Sequence, residues 1–289
     1  MIDTTRAAVR SRRIAHLTCP TVRRLATALL VLLATAAPAA AGEPRGWHPK
    51  VRDARAFADD RRGEVAFSVR TRARAWGFRA GVQYRSASVI KAMLLVAYLR
   101  RDDVRGRALR ADERALLDPM IRFSDNRAAD AVHARVGLPA LAALAARAGM
   151  RAFIPHPVWG GSLITAADQA GLFRRIDRLV PARHRAYAMG LLRAVTAGQR
   201  WGLPEALPDG WTIAFKGGWG RGVTRQVTHQ AALLTHGRTR LAVAVLTADS
   251  PSTPYGAATI RGVAQRLLRG LDGRRVGRIL PRIRKRLPA

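Results

Sequence analysis

Apolar and polar positions along the chain fall into three regimes. Residues 64–70 alternate strand-forming and polar side chains, and residues 73–79 do so again after a short polar turn, which predicts an antiparallel hairpin. Between 112 and 203 the period changes. Apolar residues recur at spacings of three and four over 113–122, 127–136, 139–148, 166–175 and 181–197, each a predicted helix. Strand-like patterns return at 211–216, 224–235 and 238–248, the last two joined by a tight turn at His236-Gly237, and an amphipathic helix over 256–271 follows. Strands at both ends with helices between them predict an α+β fold. One antiparallel sheet is completed by N- and C-terminal strands and flanked by helices, with an all-helical subdomain inserted at about 108–205.

One stretch stands apart. Residues 84–98 read Tyr-Arg-Ser-Ala-Ser-Val-Ile-Lys-Ala-Met-Leu-Leu-Val-Ala-Tyr, and beyond Ala92 they are apolar on every side for two turns. A helix of that kind runs through the middle of a domain rather than over its surface. Ser88 and Lys91 are three apart, so on a helix starting here their side chains rise from one face, amine beside hydroxyl. A buried lysine is costly unless it has partners or sheds its proton, and either outcome suits a serine nucleophile. Lysine is also scarce. Lys50, Lys91, Lys216 and Lys285 are the only four among 51 basic residues, and arginine, unlike lysine, cannot serve as a base.

Composition changes the picture at the two ends. Residues 1–41 read as an export signal, with six arginines, an apolar run over 25–37 and a small-residue cleavage site at Pro38-Ala39-Ala40-Ala41. Arg12-Arg13 and Arg23-Arg24 are pairs of the kind found in twin-arginine signals. The apolar run is short of the roughly 20 residues a bilayer span requires, with an uncleaved anchor as the alternative. Residues 42–271 then form the folded domain of a secreted or envelope protein, and 272–289 a basic C-terminal tail. The only cysteine, Cys19, precedes the apolar run, and none of the seven histidines has a metal-ligand spacing, so neither a metal nor another cofactor is expected.

The formal charge of +32 draws such a protein toward anionic surfaces, either wall polymers or lipid headgroups, with the basic tail as the point of attachment. Nucleic acid is not an expected partner, because aromatic residues are only 6% of the chain, no nucleic-acid motif is present and the leader directs the protein elsewhere. A monomer is expected.

Two further signals follow Ser88 and Lys91 along the chain. Ser124-Asp125-Asn126 sits in a turn between two predicted helices, and Lys216-Gly217-Gly218 ends a predicted strand. Ser-x-x-Lys, then Ser-Asp-Asn, then Lys-Thr-Gly is the signature of class A β-lactamases and penicillin-binding proteins, and this chain resembles that superfamily over about residues 60–271. The resemblance implies that Ser88 attacks a carbonyl carbon to form an acyl-enzyme, with Lys91 accepting or relaying its proton. It implies that Ser124 passes a proton to the departing nitrogen, that Asn126 holds the substrate's amide and that Lys216 faces its carboxylate. Backbone N–H groups of Ser88 and Trp219 would form the oxyanion hole, with Gly218 letting the strand approach closely. Asp125 reads as structural.

The departures bear on function. Gly217 stands where the family has threonine, so a hydroxyl that grips the carboxylate is missing, and Arg221 or Arg225 could compensate. Class A β-lactamases carry a glutamate about 35 residues after the serine of Ser-Asp-Asn. Here that region is His156-Pro-Val-Trp-Gly-Gly-Ser162, and no glutamate lies between Glu113 and Glu205. Without a carboxylate poised on a water, an acyl-enzyme hydrolyses slowly. His156 is a candidate substitute base, Asp168 is expected in the first turn of the next helix and Ser162 in a turn or cap. The sequence thus reads as an exported serine hydrolase acting on a β-lactam or related amide. The alternatives are a D,D-peptidase or esterase with slow deacylation, acting on a small-molecule or peptidoglycan-like acyl substrate, and a non-catalytic wall-binding module.

Overall fold

A computed structural model describes residues 42, 44, 46–221 and 226–271. In chain order the elements are α1 (Val51–Asp59), β1 (Glu64–Arg70), β2 (Ala75–Phe78), β3 (Gln83–Arg85), a 3₁₀ turn (Ala87–Ile90), α2 (Lys91–Leu99), α3 (Asp102–Arg105), α4 (Ala111–Arg122), α5 (Asn126–Arg147), β4 (Leu163–Thr165), α6 (Ala166–Leu179), α7 (Arg185–Arg193), β5 (Thr212–Arg221), β6 (Gln226–His236), β7 (Thr239–Ser250) and α8 (Thr253–Leu267). The five-stranded sheet has the order β2-β1-β7-β6-β5, antiparallel throughout. The strand nearest the N-terminus, β1, pairs with β7, Glu64 opposite Ala248 and Arg70 opposite Ala242. The α+β architecture read from the sequence is therefore present, with the sheet completed from both ends of the chain.

Alternation sorts the sheet's side chains into two cores. Phe67, Val69, Ile213, Phe215, Val243 and Val245 pack on one face under α1 and α8. Ala66, Ala214, Ala231, Ala244 and Leu246 face the other way, toward α2 and α6. Every residue of α2 is buried, as its unbroken apolar sequence requires, and Lys91 at its start is no exception. Departures from the sequence reading are local. The predicted helices over 127–136 and 139–148 are two halves of α5, separated at Gly137, whose φ of +72° breaks the helical path ahead of Pro139. The last predicted central helix, 181–197, contracts to Arg185–Arg193 with a 3₁₀ turn before it. β5 runs five residues past the predicted end at Lys216, because its partner β6 holds Gly217, Gly218 and Gly220 in register although glycine has little strand preference. α1, α3, β3 and β4 were not expected. The start of the predicted strand 224–235, the leader over 1–41 and the tail over 272–289 fall outside the described residues.

β3 and β4 form a separate two-stranded ladder, Tyr84 opposite Ile164, that delivers the chain into the 3₁₀ turn carrying Ser88. That delivery is pinned to the main sheet by His229 of β6. Thr247 N–H donates to its Nδ1 at 3.2 Å, so the neutral ring carries its proton on Nε2, which donates to Arg85 O at 2.9 Å. Burial holds this imidazole neutral and lowers its pKa to about 4.

Two expectations about stability follow from these contacts. Gly63, ahead of β1, has a φ of +85°, and an added Cβ would lie 2.4 Å from Ala248 O. Gly63→Ala should lower the unfolding free energy by about 2 kcal/mol or more, whereas Gly106→Ala, in open space, should change it by less than about 0.5 kcal/mol; chemical denaturation compares the two. His229 charges readily when unfolded, at its ordinary 6.5, but only near 4 when folded, so between those values the unfolded state binds more protons. Its contribution is intact above about pH 6.5 and falls, by roughly 3 kcal/mol in all, as pH drops toward 4. Urea titrations at pH 7 and pH 5 should therefore show a loss about 2 kcal/mol smaller in His229→Gln than in the parent, and equal losses would contradict the assignment.

Candidate active site

The nucleophile candidate sits where three elements meet. Ser88 lies in the 3₁₀ turn, whose first-turn N–H groups have no acceptor within the turn. β5 runs directly against this turn. A Cβ on Gly218 would fall 2.7 Å from both Ser88 N and Val89 N, so only glycine permits the approach. Ala87, immediately before Ser88, has a positive φ of 44°, a local strain held in place by the packing on both sides. Ser86 supplies part of that packing. It is fully buried, its N–H donates to Ser162 O at 2.8 Å, and its hydroxyl lies 3.3 Å from Trp159 O and 3.4 Å from Gly160 O.

Lys91 and Lys216 both end at Ser124. Lys91 Nζ donates to the carbonyl oxygen of Ser124, to Asn126 Oδ1 at 2.8 Å and, at 3.3 Å, to Ser124 Oγ. Lys216 Nζ donates to the same Oγ at 3.0 Å and to Gly217 O at 2.8 Å. Both lysines have no exposed surface, and among the described residues neither is ion-paired to a carboxylate. Burial lowers Lys91 to about 8, against the opposing pull of Asp125 and Asp130. Lys216 is pushed well below its usual range by burial and then by the charge on Lys91.

Ser124 reaches this position because it adopts a left-handed conformation, φ +58°, in the turn between α4 and α5. Asp125 then caps α5, its Oδ1 accepting the Ala128 N–H at 2.7 Å, a structural task as expected. Asp168 lies in the first turn of α6, where its two oxygens accept the N–H groups of Arg151 and Ala152 at 2.9 Å. Ser162 is buried and accepts the His156 N–H at 3.2 Å.

The residue that sequence reasoning missed is Trp159. The Lys91 ammonium lies 4.7 Å from the centre of its ring, a cation–π contact, and the indole Nε1 donates to Asp130 Oδ1 of α5 at 2.7 Å. The spacing from Ser124 pointed to this loop, but nothing in it identified a tryptophan as the group that covers the lysine. His156 is exposed at the loop's edge, with Nδ1 accepting the Val158 N–H at 3.0 Å.

A cleft of about 370 Å³ opens over Ser88 and is lined by Asn126, Trp159, His156, Val158, Trp219 and Arg221, with Arg85 and Gly160 at its margin. Of the sequence candidates, Ser88, Asn126 and Trp219 face this space directly. Lys91, Lys216 and Gly218 are buried behind it, and Ser124, half-buried, joins the two lysines. Gly217 points elsewhere: a Cβ there would meet the Trp201 ring and Gln230 Cγ at 3.7 Å, and Trp201 stacks edge-on to Trp219 with centroids 5.8 Å apart. An aromatic wall thus stands where the family signature places a hydroxyl. Arg225 lies outside the described residues.

Known structures share this architecture. A β-lactamase from Sphaerobacter thermophilus is 20% identical, with 76% of this chain and 97% of that one covered at a TM-score of 0.63. A class A β-lactamase from Mycobacterium abscessus is 21% identical, with coverages of 76% and 98% and a TM-score of 0.63. A protein described as PBP-A is 18% identical, with 77% and 95% covered and a TM-score of 0.65. At such identities the likeness speaks for the fold. No curated protein sequence matches. The profile of the β-lactamase enzyme family matches residues 106–271, more than half of the chain, a span that begins after Ser88 and contains Ser124 and Lys216. The chain belongs to the β-lactamase enzyme family, whose fold is that of a serine hydrolase acting on amide bonds.

Proposed function

We propose that the protein is an exported serine hydrolase, acylated at Ser88 by a β-lactam or related amide, that releases the acyl group slowly, as a D,D-peptidase-like acyl-enzyme former. The observation that carries this reading is the Trp159 indole over Lys91. A general base must accept a proton from water within hydrogen-bond reach. An indole has one donor and no acceptor, and here the donor is committed to Asp130. Around Ser88 the described groups are therefore two buried amines, the half-buried hydroxyls of Ser88 and Ser124 and the Asn126 amide, with no carboxylate lining the cleft.

The contacts among Lys91, Ser124 and Lys216 support an acylation route. Ser88 Oγ attacks the carbonyl carbon, and its proton passes to the unprotonated Lys91 amine, directly or through Ser124 Oγ. The N–H groups of Ser88 and Trp219 take the charge that develops on the carbonyl oxygen. As the carbon–nitrogen bond breaks, Ser124 gives a proton to the departing nitrogen and is reprotonated from the lysines it touches. Lys216 faces the substrate's carboxylate, with Arg85 and Arg221 of the same cleft contributing in place of the hydroxyl absent at Gly217. Asn126 aligns the amide of the acyl portion. The leader-like residues 1–41 and the charge of +32 support action at an anionic cell envelope, on a small or peptidoglycan-like acyl substrate.

Intact-mass measurements over time test the central claim. With a penicillin, the parent protein should gain one adduct that persists for hours, and Ser88→Ala should gain none. Trp159→Glu, which places a carboxylate beside Lys91, should shorten the adduct's lifetime at least tenfold. Clearance by the parent within seconds, with hydrolysed product released, would refute slow deacylation. The pH profile tests Lys91. The free amine is the reactive form, so the acylation rate should rise about tenfold per pH unit below about 8 and level above it. A rate unchanged from pH 6 to pH 9 would remove Lys91 from the proton path.

A further inference from the structure

A cavity of about 550 Å³ lies apart from the Ser88 cleft and shares no residue with it. It lies where the end of β1 meets α6 and the C-terminal end of α5, and five arginines line it: Arg70, Arg72, Arg174, Arg175 and Arg178. Across the sheet, Gly218 stands opposite His229, His229 opposite Leu246 and Leu246 opposite Ala66. Arg70 is four residues beyond Ala66, on a strand three places from β5. At about 3.3 Å per residue and about 4.8 Å per strand, the two sites are roughly 20 Å apart.

Several features make this a built site rather than a stretch of arginine-rich surface. Arg174 is buried. Two glycines lie against guanidinium groups: a Cβ on Gly171 would touch Arg70 Nη1 at 3.4 Å, an ordinary contact, and one on Gly149 would lie a tighter 3.2 Å from Arg175 Nη2. Arg175 is fixed further by a hydrogen bond to Ala148 O at the end of α5. None of the described residues lining the cavity is acidic. Both carboxylates of α6 are engaged elsewhere, Asp168 with the Arg151 and Ala152 amides and Asp177 with two nitrogens of Arg240 at 2.6 and 2.9 Å. Guanidinium groups do not discharge, so the cavity is lined by permanent positive charge, and the planar donor forks of Arg70, Arg72, Arg175 and Arg178 suit phosphate oxygens.

We infer that this arginine-lined cavity is a phosphate-binding site, separate from the acylation site, for a ligand bearing at least one phosphate group. The cavity volume falls in the range that encloses small ligands, about 300–1,000 Å³, and admits more than one phosphate. Such a site would dock the enzyme on a phosphate-bearing component of its surroundings while leaving Ser88 free.

Calorimetric titration of the full chain with inorganic diphosphate tests the assignment. One saturable site is expected, weakened at least tenfold in the double variant Arg72→Gln/Arg178→Gln, both exposed positions, with Ser88 acylation unchanged. A second double variant, Arg52→Gln/Arg62→Gln, removes the same charge from exposed positions elsewhere and should bind within twofold of the parent. Equal weakening in both double variants, or binding that never saturates, would overturn the site and leave only the protein's general positive field. Displacement of diphosphate by vesicles containing phosphatidylglycerol would assign the phosphate to a lipid headgroup. Displacement by soluble glycerol phosphate but not by vesicles would assign it to a free phosphate ester.

Discussion

The site depends on one hydroxyl. Ser124 Oγ receives hydrogen bonds from two lysine amines that have no exposed surface, one carried by the central helix and the other by the edge strand β5. Two ammonium groups so placed repel each other in a medium that screens poorly, and both lose proton affinity as a result of their burial. The protein provides carbonyl oxygens, an amide oxygen and an indole face for these amines but no directly bonded carboxylate. The two amines are thus held by dipoles and a ring face alone.

The scaffold around that hydroxyl is built by close approach. Gly218 brings β5 to within contact of the Ser88 turn, His229 behind it ties Arg85 to the same sheet, and Ser86 bonds the loop that carries Trp159. Each of these contacts fixes a different wall of the cleft relative to Ser88. Trp159 has a double effect. Its ring stabilises the lysine's charge without offering a proton acceptor, and its bulk fills the space above the amine. The loop thus sets an apolar plane, with no proton acceptor, against the lysine of the Ser-x-x-Lys pair.

Much of this was legible in the sequence. The strand 64–70 was readable at both ends because alternation stops abruptly at polar residues, and both halves of α5 were readable because Gly137 and Pro139 interrupt an otherwise continuous helical period. Ser88, Lys91, Ser124 and Lys216 stood out through spacing and through the rarity of lysine. The missed elements have physical reasons. α1 is only nine residues long and its fully buried positions, Ala54 and Ala58, are small, so little apolar bulk marks it, and the end of β5 is glycine-rich and held by partners rather than by preference. The role of Trp159 was hidden because a ring over an ammonium group is a relation between α2 and a distant loop. The arginine-lined cavity was hidden for a similar cause: its residues come from three elements, in a chain where arginine is everywhere.

The pairing of Glu64 with Ala248 carries a consequence for how the protein acquires activity. The sheet cannot close until its penultimate element, β7, has emerged, and β6 and β5 must already be aligned to receive it on the other side. Contacts this distant in sequence make folding slow and leave unpaired strand edges exposed while the chain waits. Lys216 and Gly218 reach the Ser88 turn only as part of that late assembly, so a partly synthesised chain holds Ser88 without its strand. The candidate site thus comes together late, once β5, β6 and β7 have all joined the sheet, and a chain interrupted before β7 lacks the strand that links β1 to the rest.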